Sequence, residues 1–175
     1  MTSFRSDPLL GLARGILIFS MVLAVIAAAG FLIGAGVIVA MYPAVTGWLA
    51  EHAAPALSFW AILAIALLAA GVFVLIYRFA NLLRRIVDTV GDGDPFIPDN
   101  ADRLNHMAWL VIGVQALSIP IGALGAWLAM HIKDAQIDID AGLDINGVLL
   151  AVVLFILARV FRRGADMREE LEGTV

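Results

Sequence analysis

Cysteine is absent from the 175-residue sequence, and histidine occurs only three times. The absence of cysteine excludes disulfide bonds, metal sites built on thiolates and catalysis by a cysteine nucleophile. A hydrolase triad needs its nucleophile, base and orienting acid in one pocket, whereas His52, His106 and His131 are scattered along the chain. The sequence also lacks a glycine-rich loop with the lysine that phosphate binding requires. We therefore expect a protein that is not an enzyme and that has no cofactor.

Charge is scarce as well, since 15% of the residues are charged and 62% are hydrophobic. A mean hydropathy of +0.98 is too high for a soluble domain of ordinary composition. Uncharged stretches cover residues 15–50, 53–77 and 107–130, and a shorter one covers 145–158. Crossing a hydrocarbon core about 30 Å thick takes about 20 helical residues. Strict period-2 alternation is absent from these stretches, so they predict membrane-spanning helices.

The predicted fold is all-α, an integral membrane bundle of four transmembrane helices that forms a single domain over residues 1–175. The predicted spans are about 15–41, 56–77, 107–130 and 142–161, with a loop at 78–106 and a tail at 162–175. All ten arginines flank the N-terminal side of the first span, the loop 78–106 or the C-terminal end of the fourth span, and Lys133 alone lies elsewhere. Because cytoplasmic segments retain Lys and Arg, both termini and this loop are expected to be cytoplasmic.

The net charge of −4 comes from the predicted outer side, where Glu51 and four aspartates between 134 and 144 oppose Lys133. Arginines and acids cancel on the cytoplasmic side, so we expect no direct binding of nucleic acid. His52, His131 and the outer acids are a candidate cation site. Their spacing matches no known metal site, and a solvated acidic loop is the simpler interpretation.

The first span carries two further patterns. Arg14, the apolar run and the small residues 27–29 are similar to a signal peptide, but the run continues past any cleavage point, so we expect the helix to be retained. Gly30 and Gly34 form a GxxxG pair. We expect this pair to pack within the bundle rather than to mediate dimerisation, and a homo-oligomer is the alternative.

Helical spacing of apolar residues continues beyond Tyr77 to about Val90, with arginines on the other face. This amphipathic extension either lies on the inner leaflet or covers the cytoplasmic mouth of the bundle, and we favour the first interpretation. Residues 91–95 read as a turn, after which Asp99 is expected to cap the third helix. In the tail, Arg162 and Asp166 are four residues apart, which favours a helix with a local ion pair.

Two stretches resemble motifs of the bacterial membrane family called domain of unknown function 2975. They read GDPFIPDNADRL at 93–104, and ARVFRRGA at 158–165 followed by EELEGTV at 169–175. With four spans of this order, the resemblance extends over nearly the whole chain. It implies a multi-pass protein of the plasma (inner) membrane of a bacterium, in a family whose members are often encoded beside a small helix-turn-helix regulator.

The resemblance therefore implies a nonenzymatic regulator or accessory protein that partners a small cytoplasmic helix-turn-helix transcription factor. The alternative is a small transporter, or a protein that binds lipid or an apolar ligand near Pro120. The near absence of ionisable residues within the spans argues against ion coupling. The family motifs either face the partner or lock the inner ends of the helices together. The candidate partner-facing residues are Pro95, Phe96, Pro98, Asn100, Arg103, Phe161, Arg162 and Gly164.

Overall fold

The computed structural model of the protein describes residues 8–132 and 144–172, without the side chains of the last two. Within these ranges the chain forms five helices and no strand, which confirms the all-α prediction. In chain order they are α1 (Pro8–Ala40), α2 (Tyr42–Glu51), α3 (Leu57–Gly91), α4 (Pro98–His131) and α5 (Ile145–Glu172). The predicted outer acidic loop at 133–143 lies outside the described residues.

Four of these helices, α1, α3, α4 and α5, are long and apolar enough to cross a membrane, as the uncharged stretches predicted. A helix rises about 1.5 Å per residue, so even α5 is longer than a hydrocarbon core about 30 Å thick. The excess length is most evident around the predicted loop 78–106. Most of that loop is helical, since α3 continues to Gly91 and α4 begins at Pro98.

Proline and a left-handed residue mark the boundaries of the short helix α2. The first helix ends at Ala40, and Pro43 occupies the first turn of α2, where its missing N–H needs no partner. After His52, the backbone of Ala53 has a φ of 52°, a left-handed conformation that ends the helix. Pro55 then precedes the first turn of α3, and its carbonyl accepts a hydrogen bond from the N–H of Ser58 at 2.9 Å.

The chain packs as two compact units that divide the long helices. Of the described residues, the first unit contains 8–23, 75–113 and 145–172, and all nine arginines that the structure describes belong to it. We call it the arginine-rich unit. Its core consists of apolar side chains from α3, α4 and α5, namely Ile86, Leu104, Met107, Ala108, Leu154 and Ala158.

Of the described residues, the second unit contains 24–74, 114–132 and 144. Its core joins α2 to the start of α3 and the end of α4 through Leu49, Phe59, Ala61, Leu128 and Ile132. The ring of Tyr42 stands edge-on to Phe59, with centroids 4.8 Å apart. The α2 helix is therefore anchored by apolar packing on α3 and α4.

The GxxxG pair of α1 does not make the contact expected from the sequence. A Cβ built on Gly30 or Gly34 would meet no heavy atom of the described residues within 4 Å. The prediction that these glycines pack within the bundle was therefore wrong. GxxxG promotes close packing only when a second helix lies over it, and no such neighbour covers it in the described chain.

Candidate partner-facing surface of the arginine-rich unit

A tight turn joins α3 to α4 and starts the first family motif. The N–H groups of Asp92, Gly93 and Asp94 donate to the carbonyls of Asp88, Val90 and Thr89, each at 3.1 Å. Gly93 has a φ of 86°, a conformation that favours glycine because any side chain would be strained there. The last carbonyls of α3 are thereby satisfied, and the chain reverses within a few residues.

The fourth helix starts one residue earlier than the expected cap. Asp99 lies inside the first turn of α4, which begins at Pro98, so the prediction that Asp99 caps the helix was wrong. Proline is well suited to the first helical position because its φ is already helical and it lacks an N–H. The carboxylate of Asp99 still stabilises the helix, since a negative charge is favourable in the first turn.

Asn100 is the polar centre of the first motif. It is completely buried, with an exposed fraction of 0%. Its Nδ2 donates to the hydroxyl of Thr89 at 2.7 Å and to the carbonyl of Pro95 at 2.9 Å, while its Oδ1 accepts from Nη1 of Arg103 at 2.7 Å. A single side chain thus ties the end of α3, the turn and the first turns of α4 together, with both ends of its amide satisfied.

Phe96 joins the first motif to the second. Its ring lies against Phe161 of α5, with centroids 5.1 Å apart and planes at 40°. The same ring covers Gly164: a Cβ at that position would come within 2.7 Å of Cδ1 of Phe96. A glycine is therefore required on α5 for Phe96 to approach the helix backbone this closely.

Two ion pairs fix the same helices on either side of this aromatic contact. Arg162 pairs with Asp102, and Arg168 pairs with Asp94. The local pair expected between Arg162 and Asp166 is not formed, because Arg162 turns towards α4 instead. Each pair links α5 to residues 60 or 74 positions earlier in the chain.

The amino-terminal helix is also attached to this unit. Nη2 of Arg14 lies 2.5 Å from Oδ1 of Asp88, one turn before the end of α3. Nearby, Nη2 of Arg103 lies 3.3 Å from Oδ2 of Asp99. With these contacts, four of the nine described arginines are paired with carboxylates. Within the described residues the other five have no salt bridge: Arg78, Arg84, Arg85, Arg159 and Arg163.

The structure brings both motifs together, and it divides the eight candidate residues between interior and surface. Asn100 is buried, whereas Pro95, Arg103, Phe161 and Gly164 are partly covered. The exposed members are Phe96, Pro98 and Arg162. The candidate residues chosen from the sequence did not include Asp94, Asp102 and Arg168. Asp94 and Asp102 lie within the first motif, and Arg168 directly precedes the last quoted stretch.

The three histidines have structural partners. Nδ1 of each lies 2.8 or 2.9 Å from the carbonyl four residues earlier, on Trp48 for His52, Asp102 for His106 and Trp127 for His131. A carbonyl oxygen only accepts, so each Nδ1 carries the hydrogen. Within residues 8–132 and 144–172, no group of three or more His, Asp or Glu is placed to hold a metal ion.

Polar groups near Pro120 are also bonded within the protein. The hydroxyl of Ser118 donates to the carbonyl of Val114 at 2.9 Å, and Nε2 of Gln115 donates to the carbonyl of Asp144 at 2.6 Å. The helix α4 continues through Pro120 to His131. These hydrogen bonds satisfy side chains that a ligand pocket beside Pro120 would otherwise use.

Fold and contacts together define an all-helical protein with four helices of membrane-spanning length and a cross-linked polar end. The chain belongs to the family described as "Protein of unknown function (DUF2975)", whose sequence profile matches residues 41–175. The match contains both motifs and starts after α1, so the resemblance covers less of the chain than the sequence suggested. No curated protein and no solved structure matches the chain.

Proposed function

We propose that this protein is a nonenzymatic accessory protein of a bacterial inner membrane that holds a small helix-turn-helix regulator at its cytoplasmic face. The distribution of arginines supports a cytoplasmic position for the arginine-rich unit, since basic residues are retained on that side. The choice of partner rests on the family resemblance, which implies members that are often encoded beside a small helix-turn-helix regulator.

One observation carries the proposal: apolar side chains are exposed outside the uncharged stretches that are expected to cross the membrane. Phe96, just before α4, is 43% exposed, and Met167 of α5 is 58% exposed; both lie outside the uncharged stretches. Met167 is three residues after Gly164 and so lies one turn along the same side of α5. Exposed apolar residues within a polar rim are typical of sites that bind protein. We call Phe96, Pro98 and Met167 the docking surface.

The contacts beneath this surface favour a preformed binding site. Asn100, the Phe96–Phe161 contact and the two ion pairs of α5 hold the turn and the helix in one arrangement. A rigid surface loses little conformational entropy when a partner binds. The locking role and the partner-facing role of the motifs are therefore compatible, because buried residues perform the first and exposed residues the second.

Co-purification of the full-length protein from detergent-solubilised membranes with the regulator encoded beside it tests the proposal. Met167→Glu is expected to reduce recovery of the regulator at least about tenfold, because it places a charge in an apolar contact. Met130→Glu is the matched control, since Met130 is also exposed, at 75%, but lies at the opposite end of α4 from Pro98. It should leave recovery unchanged.

The transcription of the regulator's target gene provides a second measurement. A reporter for that gene should respond to deletion of this protein, and Met167→Glu should reproduce the deletion while the protein stays in the membrane. Failure to recover the regulator with the wild-type protein would contradict the proposed partner. Equal losses for Met167→Glu and Met130→Glu would contradict the docking surface.

A further inference from the structure

A groove between α3 and α4 in the arginine-rich unit has the composition of an anion-binding site. It has a volume of about 440 Å³ and is lined by Arg78, Asn81, Leu82, Arg85, His106, Trp109 and Leu110. The three polar side chains of α3 recur at intervals of three and four residues, so they follow one face of the helix. The two arginines are separated by about 10 Å along the helix axis, at about 1.5 Å per residue.

Among the described residues, no carboxylate neutralises the positive charge of this groove. No carboxylate is among its lining residues, and neither Arg78 nor Arg85 has a salt bridge within the described part of the chain. Other cavities of the unit differ in this respect. The one beside α1 brings Asp88 and Asp92 next to Arg14 and Arg84, and the one between α4 and α5 contains Asp102.

The position of the groove along α3 and α4 indicates that its ligand is an anion at the headgroup level of a membrane. The uncharged stretch of α3 ends at Tyr77, directly before Arg78, and that of α4 begins at Met107, directly after His106. The groove therefore lies at the boundary between the apolar and polar parts of both helices. Trp109, which is 60% exposed, is typical of the headgroup level, and Leu82 and Leu110 supply an apolar wall.

We propose that this groove binds the phosphate-bearing headgroup of an anionic phospholipid, with Arg78 and Arg85 contacting the phosphate oxygens. Guanidinium groups form paired, charge-assisted hydrogen bonds with phosphate. The indole of Trp109 packs at the glycerol level, and the leucines contact the first part of the acyl chains. The ring of His106 is held by the hydrogen bond from its Nδ1 to the Asp102 carbonyl, which fixes the far wall.

Native mass spectrometry of the full-length protein in detergent, titrated with phosphatidylglycerol or phosphatidylcholine, measures this binding. The wild type is expected to retain phosphatidylglycerol in preference to phosphatidylcholine. The double variant Arg78→Gln and Arg85→Gln should bind phosphatidylglycerol about 25-fold more weakly, at about a factor of five for each arginine. The variant with lysine at both positions should lie between the two, since it keeps the charge and loses the paired hydrogen bonds.

The matched control, Arg159→Gln with Arg163→Gln, removes two other arginines that form no salt bridge with a described residue, and it should retain most of the affinity. Equal weakening in both double variants would show general electrostatic attraction and overturn the site, as would a wild type without preference for the anionic lipid. Inorganic phosphate at the same concentration should not displace the lipid; displacement would identify a soluble anion as the ligand. Both arginines of the groove are exposed, and unchanged helical circular dichroism will show that the variants are folded.

Discussion

The contact between Phe96 and Gly164 predicts that Gly164→Ala destabilises the wild-type protein but stabilises the Phe96→Ala variant. In Gly164→Ala the new Cβ would lie 2.7 Å from Cδ1, 3.2 Å from Cε1 and 3.3 Å from Cγ of Phe96. Carbon atoms prefer separations of about 3.5 to 4.0 Å, so the ring must move away by up to about 1 Å. Phe96 is partly exposed and can move outwards, but it then separates from Phe161.

Two opposing effects determine the size of the change. Overpacking of this kind costs about 1–3 kcal/mol, which includes a weakened aromatic pair. Replacing glycine by alanine within a helix stabilises it by about 1 kcal/mol, and Gly164 lies in the charged tail of α5, where the aqueous value applies. We expect Gly164→Ala to destabilise the wild type by about 1 kcal/mol. In the Phe96→Ala background the obstacle is gone, and the same change should stabilise the protein by about 1 kcal/mol.

Unfolding of the four proteins of this cycle by SDS in mixed micelles, followed by circular dichroism, gives the coupling free energy. We expect about 2 kcal/mol, well above the value of about 0.5 kcal/mol within which independent sites add. Gly34→Ala is the control, since no atom would lie within 4 Å of its Cβ, and it should show no coupling to Phe96→Ala. Stabilisation by Gly164→Ala in both backgrounds would refute the contact.

Three further predictions concern the buried amide, the charge pair and the orientation. Asn100→Ala should lower the free energy of unfolding in SDS by about 2 kcal/mol or more, because three hydrogen-bonding groups lose their partner. Replacing the exposed Asn105 by alanine should change it by less than about 0.5 kcal/mol. Asp102→Arg and Arg162→Asp should each destabilise the protein by about 0.2–1 kcal/mol in the same assay, and the double exchange should restore stability. Because the chain has no cysteine, single introduced cysteines report its orientation. A membrane-impermeant maleimide should label Glu51→Cys in intact cells but Asp166→Cys only after permeabilisation. The reverse pattern would contradict the predicted sides.

The four long helices could be predicted because one physical signal dominates them. A hydrocarbon solvent excludes charge over about 20 residues, and the uncharged stretches are read directly from the sequence. The amphipathic spacing after Tyr77 also predicted that α3 continues, and it does so to Gly91. The apolar side of this extension packs on other helices, because Ile86 is buried in a core shared with α4 and α5.

The contacts of the motifs could not be predicted in the same way. The spacing of Arg162 and Asp166 suggested a local pair because residues four apart are neighbours on the surface of one helix. The actual partner, Asp102, depends on how α4 and α5 are rotated about their axes, which sequence spacing does not specify. Gly164 was ambiguous for a similar reason: a glycine in a helix indicates close approach without naming the group that approaches, here Phe96.

The arginines of this protein have two roles: their number is expected to set the orientation in the membrane, and in the folded protein they form ion pairs or leave positive charge exposed. Orientation in the membrane depends on the number of Lys and Arg residues near the spans, and acidic residues contribute little to it. In the folded protein, however, Arg14, Arg103, Arg162 and Arg168 are paired with carboxylates, so they add little positive potential to the unit. Replacing Arg78 and Arg85 leaves eight of the ten arginines, so most of the orientation signal remains. We expect their double glutamine variant to lose the anionic lipid while Asp166→Cys stays inaccessible in intact cells, so that lipid binding and orientation separate in one experiment.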